Sequence, residues 1–338
     1  MLAVASIADL DRHITRARHP ERQARLSAAV GGVLDAGLEA AIVAVQVVAA
    51  TTEDAARVHD RSYLDHLREF CQAGGGSIDP DTDTSIGSWD TAMLAAGAGL
   101  STLSALDRGE AQVGLVLVRP PGHHALVDRS MGFCLLNNIA ISAAALTARG
   151  ERVLIVDWDV HHGNGTQAIF WDDPNVLFVS SQLDNHWPFS GGVHETGGPG
   201  APGRTINFPL PHGATGDILL RAFDEVVAPV VQDFRPTWVL ISAGFDSHRD
   251  DPLGGLGFSA GDFALFVTRL RQFAPQDGRT VLFLEGGYDL DALRLSVGAT
   301  VNAILGGAKA FEAPTNGGPG GHIVEAALAA SHAARLDG

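Results

Sequence analysis

Five short runs of this sequence are apolar at nearly every position: "VGLVLV" (113–118), "VLIV" (153–156), "VLFVSS" (176–181), "WVLISAG" (238–244) and "TVLFLEGG" (280–287). A strand with one wet face alternates polar and apolar residues. A strand covered on both faces has no reason to alternate. Between the runs lie Ala/Leu-rich segments with helical spacing, at 89–107, 135–149, 216–234, 259–274 and 289–306. Ser259 followed by Asp262 predicts a capped start for one of them. Strand–helix alternation of this kind predicts an α/β fold with a mostly parallel central sheet and helices on both faces.

The 338 residues suit one large α/β domain or two smaller ones. No repeat and no Pro/Ser linker divides the chain, so a single domain over 1–306 is expected. Residues 307–338 lose the strand pattern and are expected as a peripheral helix or trailing segment. The Gly/Pro-rich stretch 183–215 is expected as one long connection of the kind that carries function, or a subunit contact in a homo-oligomer.

Charge narrows the partners. Asp and Glu outnumber Lys and Arg by 39 to 23, a formal charge of -16. Nucleic-acid binding relies on basic side chains and is not expected. A negative field favours a cationic substrate such as an amine, or simply keeps the chain in solution. Two cysteines, Cys71 and Cys134, give no disulfide framework and fit a reducing cytoplasm. The N-terminal stretch lacks the basic start and long apolar core of a signal peptide. The longest apolar run, "AAIVAVQVVAA", is too short to span a bilayer and reads as a buried strand with its approach.

Ligands of open parallel sheets bind beyond the carboxyl ends of the strands. Each unusual polar cluster falls there. The first run leads into "RPPGHHA" with His123 and His124, the second into "DWDVHHGNG", the fourth into "FDSHRDDP" with Asp246, and the fifth into Tyr288. Any one of these has an ordinary structural explanation; four in register with the strands point to a site. Within "DWDVHHG" an extended backbone would put Asp157, Asp159 and His161 on one side. Mixed oxygen and nitrogen donors suit zinc or a related divalent ion.

With these pieces in place, the chain resembles the histone deacetylase and acetylpolyamine amidohydrolase superfamily. The matching segments are "HPERQARL", "RVHDRSYL", "RPPGHHA", "GFCLLNNIAISA", "VDWDVHHGNGTQ", "SAGFDSHRDDPLGG" and "LEGGYDL", in the family's order over about residues 19–300. Asn164, Leu253 and "LEGGY" look like its class II branch. The resemblance implies an arginase-like α/β fold and a metal-dependent hydrolase that removes acetyl groups from amines.

Carried over position by position, it implies one zinc ion on Asp159, His161 and Asp246, with Asp157 behind the site. His124 would be the general base and His123 its charge-stabilising partner. Asp157 and Asn164 would orient the two imidazoles, and Tyr288 would donate to the oxyanion. Gly286 and Gly287 leave room for substrate. Gly132, Phe133 and Leu253 would wall an acyl tunnel, with Phe189 favoured over Trp187 as a further aromatic. Among Asp79, Asp81 and Asp83, Asp81 is favoured as the acid at the rim. A K+ or Na+ ion would use Asp157, Asp159, His161, Ser180 and Ser181; a second would use Phe170, Asp173, Val176 and Arg204. His162 is expected as a packed structural histidine and Cys134 as a buried small hydrophobe. The acetylated substrate stays open between acetyl-lysine, an acetylpolyamine and another N-acyl compound. Ester hydrolysis by the same site, a two-manganese arginase-like hydrolase and a non-catalytic acyl-lysine binding protein are the alternatives.

Overall fold

The computed structural model describes residues 1–8 and 10–336. Ten strands form: β1 (Leu2–Ser6), β2 (Ile42–Ala44), β3 (Gly75–Ser77), β4 (Asp83–Ser85), β5 (Val113–Leu117), β6 (Val153–Asp157), β7 (Val176–Leu183), β8 (Thr205–Leu210), β9 (Trp238–Ala243) and β10 (Thr280–Leu284). Eight of them make one sheet in the order β2-β1-β5-β10-β9-β6-β7-β8, and every neighbouring pair is parallel. β3 and β4 form a separate antiparallel hairpin.

All residues of β5, β6, β9 and β10 are buried. Both faces of the sheet centre are therefore covered, which is what uniformly apolar strands require. The helices Ala24–Asp35, Leu290–Leu305 and Ala260–Arg271 pack side by side, and Ser88–Asp107 packs on Asn138–Thr147. Ser259 and Asp262 form the expected capped start, with Ser259 N donating to the Asp262 carboxylate at 2.8 Å. The helix expected over 216–234 runs as Gly216–Ala222 and Ala228–Phe234 with a π-helical turn between. Among the described residues no helix is long and apolar enough to cross a membrane.

Three strands of the sheet lay outside the five expected. β1, "LAVAS", interleaves alanine and serine with its larger apolar residues, and β2 is a half-buried edge strand of three residues, not the buried one expected from "AAIVAVQVVAA". β8 corrects the reading of 183–215 as one connection: "TINFPL" pairs with β7 from Thr205 to Leu210. Its Pro209 disguises it, yet proline is tolerated on an edge strand, where one row of N–H groups has no partner. The helix Gly321–Leu336 packs against β8 and the 216–234 helix, burying Val324 and Ala327.

Candidate active site

Strands β5, β10, β9 and β6 are consecutive in the sheet although not in the chain. Their carboxyl ends therefore deliver His123 and His124, Tyr288, Asp246, and Asp159 with His161 to one place.

Asp159, His161 and Asp246 present donor atoms that all lie within 4.8 Å of one another. His161 Nδ1 is 3.1 Å from Asp159 Oδ1 and 3.2 Å from Asp246 Oδ2. Two fully buried carboxylates so close together favour a positive charge between them. Burial alone would lower His161, but Asp159 and Asp246 outweigh it and hold the imidazole up at about 10. Burial and the neighbouring Asp159 in turn push Asp246 up to about 7. The remaining carboxylate valences are tied down by backbone: Gly286 N donates to Asp159 Oδ2 at 2.8 Å and Val160 N to Asp246 Oδ1 at 2.9 Å. One imidazole, which borders a cavity, and two buried carboxylates match the three-ligand pattern of a catalytic zinc site.

Asp157 stands apart from this trio. β6 ends at Asp157, so the extended alternation that would align it with Asp159 and His161 does not continue. Its Oδ2 instead accepts from His123 Nδ1 at 2.9 Å. Burial would lower His123, yet Asp157, Asp159 and Glu285 hold it up at about 10. His124 is treated oppositely. Burial and the neighbouring imidazoles of His123 and His161 push it well below the usual histidine range. Its Nδ1–H donates to Asn164 Oδ1 at 2.7 Å, which fixes the tautomer and leaves the Nε2 lone pair free. The two rings lie 3.9 Å apart. The pair thus divides into a cationic and a neutral imidazole.

A cavity of about 360 Å³ is lined by Asp81, His124, Gly132, Phe133, His161, His186, Trp187, Pro252, Leu253, Gly254 and Tyr288. Gly132 has to lack a side chain, because a Cβ there would stand 2.4 Å from Trp187 and 2.6 Å from His124. Trp187, not Phe189, is the aromatic at the wall, with its ring 4.6 Å from His124. Phe189 is 73% exposed. The turn closed by Phe189 N donating to His186 O, with Phe189 at φ 60°, swings that side chain out. Of the three rim acids only Asp81 lines the cavity. Asp79 caps the amides of Asp81 and Thr82, and Asp83 binds Arg16 and Ser77. Tyr288 lines the same cavity, its ring 5.8 Å from Phe133. Burial pushes its phenol well above the usual range, so it stays a donor. Among the described residues its hydroxyl has no hydrogen-bond partner.

For the monovalent-ion residues, Ser180 pairs with Asp157 in the β6–β7 register and Ser181 Oγ donates to the Asp157 carbonyl at 3.5 Å. Phe170, Asp173 and Val176 lie on two successive turns, Asp173 N donating to Phe170 O and Val176 N to Asp173 O, while the Arg204 carbonyl accepts from Phe178 N at 2.8 Å. His162 bonds Ser190 and Gln167, and Cys134 is buried and free.

Sequence reasoning gave no role to the charges beneath the site. Glu285 is buried and accepts from Gly122 N at 2.7 Å and His123 N at 3.2 Å, fixing the turn that carries the His pair. Arg25 donates to the carbonyls of Gly287 and Glu285, and its guanidinium lies 4.9 Å from the Tyr288 ring centre. Glu21 pairs with both Arg25 and Arg119. Arg25, Arg119 and Glu285 fall in the quoted segments "HPERQARL", "RPPGHHA" and "LEGGYDL", but nothing in those strings says where the charges point.

Comparison with known proteins agrees with this geometry. Residues 19–304 match the family profile of the histone deacetylase domain. Rice histone deacetylase 10, chloroplastic, is 39% identical over 315 residues, covering 85% of this chain and 70% of that protein. A probable deacetylase of Archaeoglobus fulgidus is 38% identical, covering 83% and 79%. The histone deacetylase-like amidohydrolase of Pseudomonas aeruginosa is 38% identical, covering 80% and 72%. The crystal structure of the HDA15 HD domain superposes with a TM-score of 0.87 at 32% identity, covering 100% of this chain and 98% of that one. The chain therefore belongs to the histone deacetylase family of hydrolases, which act on amide bonds.

Proposed function

We propose that this protein is a zinc-dependent deacetylase of lysine-like or polyamine-like amines, cleaving the acetyl amide with water to give acetate and a free amine. The carrying observation is that Asp159, His161 and Asp246 converge where His161, His124 and Tyr288 line one cavity. Asp159, His161 and Asp246 would hold the ion. When bound, it supplies Lewis-acid polarisation of a carbonyl and makes water a nucleophile near neutral pH.

The chain's own residues supply the rest. Neutral His124 takes the proton of the attacking water at Nε2, with Asn164 keeping the other nitrogen protonated. His123, kept cationic by Asp157, stabilises the negative charge that develops on the amide and provides a proton for the departing nitrogen. Tyr288 donates its O–H to the oxygen that becomes anionic. Phe133, Trp187 and Leu253 offer apolar walls for a methylene chain, and Asp81 at the rim accepts from an amide or ammonium N–H. The charge of -16 adds a field that favours cationic substrates. A K+ or Na+ ion near Ser180 and Ser181 is part of this proposal, as is a reducing cytoplasmic setting, which two free, buried cysteines support.

The test is acetate release from an acetyl-lysine peptide and from acetylated polyamines. We expect turnover of at least one, loss on chelation and recovery with added zinc. Absence of acetate from both classes in zinc-loaded protein overturns the reading; turnover of polyamines alone assigns the small-molecule substrate.

A further inference from the structure

We propose that Asp251 is a positioning residue that sets the catalytic phenol of Tyr288 and the tunnel wall at Leu253 relative to each other. This deepens the function proposed above and rests on Tyr288 being the oxyanion donor.

Asp251 follows β9 in the segment that also carries Asp246 and Leu253, and it is 7% exposed. One oxygen, Oδ2, accepts from Tyr288 N at 2.6 Å and from Asp289 N at 3.0 Å. The other, Oδ1, accepts from Leu253 N at 3.0 Å. A single carboxylate thus joins two loops that each contribute a residue, Leu253 and Tyr288, to the cavity lining.

The Tyr288 loop needs such a brace. Two glycines precede the tyrosine, and Gly287 sits at φ 122°, a conformation that residues with a side chain rarely adopt. Among the described residues the phenol hydroxyl has no hydrogen-bond partner, so its place depends on the backbone beneath it and on Phe133 and Arg25 against its ring. Arg25 holds that backbone from one side through the carbonyls of Glu285 and Gly287. Asp251 holds it from the other through the amides of Tyr288 and Asp289. Gly286 N donates to Asp159 and Gly286 O accepts from Phe245 N, which fixes the start of the same turn.

Residue type matters here. Three N–H donors converge on one side chain. A carboxylate accepts at both oxygens, whereas an asparagine would turn an NH₂ group toward one of the donors. A glutamate keeps the charge but carries the oxygens a methylene further out.

Asp251→Asn and Asp251→Glu, each alone and combined with Tyr288→Phe, test this through kcat and KM per metal-loaded chain, with metal content and melting temperature recorded. We expect full metal loading, and a kcat lowered about 10-fold in both single variants. In the Tyr288→Phe background the same changes should alter kcat by less than about 2-fold, because the group being positioned is gone. KM should rise in both backgrounds through Leu253. The same roughly 10-fold kcat loss in the Tyr288→Phe background, or a normal kcat for Asp251→Glu, overturns the proposal. If Asp251→Asn gives no folded protein, the cycle with Asp251→Glu alone decides. Failure of the proposed function would look different: the zinc-loaded wild type would release no acetate, or Tyr288→Phe alone would retain full activity.

Discussion

Gly286 shows how tightly single residues are specified here. A Cβ at that position would stand 2.0 Å from Asp246 Oδ2 and 2.6 Å from Asp159 Oδ2, inside the donor cluster. Gly286→Ala should therefore displace a ligand carboxylate and leave the chain with little bound metal, read by elemental analysis per chain. Retention of one ion per chain would contradict this reading. Tyr288→Phe tests the opposite kind of change, loss of one hydroxyl with no change in shape. It should cut the rate by about 10²–10³ while leaving the melting temperature nearly unchanged, because among the described residues the hydroxyl has no hydrogen-bond partner. Kinetics and a thermal melt on the same sample check both halves. At this scale the sequence was partly legible. Residues in strand-end clusters could be read, since short spacing limits where they can go. The tunnel aromatic could not, because one left-handed residue decides whether Trp187 or Phe189 faces inward.

Elements explain why the strand-end clusters could be read at all. Uniform apolarity marks β5, β6, β9 and β10, and such strands lie at the sheet centre, where ligand sites form. Edge strands lack that mark: β2 is half-buried, and β8 carries Pro209. Helix ends were legible where a side chain speaks directly to backbone. The Ser259–Asp262 box is one case, and it is buried. Ser259 Oγ also donates to Ala313 O at 2.8 Å, tying the helix to the segment after residue 306. Ser259→Ala should thus cost about 2 kcal/mol, toward the upper end for a cap. A shift of the urea midpoint with an unchanged slope measures it; no shift would mean that backbone and water replace the cap.

The whole molecule responds to pH through histidines that folding forces to stay neutral. His59 is an example: its Nδ1–H donates to Leu126 O at 2.8 Å and its Nε2 accepts from Asn137 N at 2.9 Å, so a second proton has no place. Burial drives it down to about 4 from 6.5. Between those values the unfolded chain binds more protons than the folded one. Its stabilising contribution is complete above pH 6.5 and is lost as pH falls through about 4. Glu285, pushed by burial up to about 7, titrates in the opposite sense, so the clean measure is a difference between proteins. The advantage of wild type over His59→Gln in melting temperature should shrink between pH 7.5 and 4.5. A constant advantage would show that His59 is not held neutral.

What the sequence determined by itself was local: which segments are buried strands, where they end, and which polar residues follow within a few positions. Spacing along one chain fixes these, because a strand offers only two directions for a side chain. Spacing alone put Asp157 with Asp159 and His161, and only the family resemblance implied Asp246 in its place; tertiary structure sets the ends of β5, β10, β9 and β6 side by side, joins Asp246 to Asp159 and His161, and turns Asp157 to His123. It also decided that Arg25, Glu285 and Asp251 meet the loops bearing the His pair and Tyr288. Such contacts link residues far apart in sequence. They exist only once burial has removed water and each charge must find its partner inside the protein.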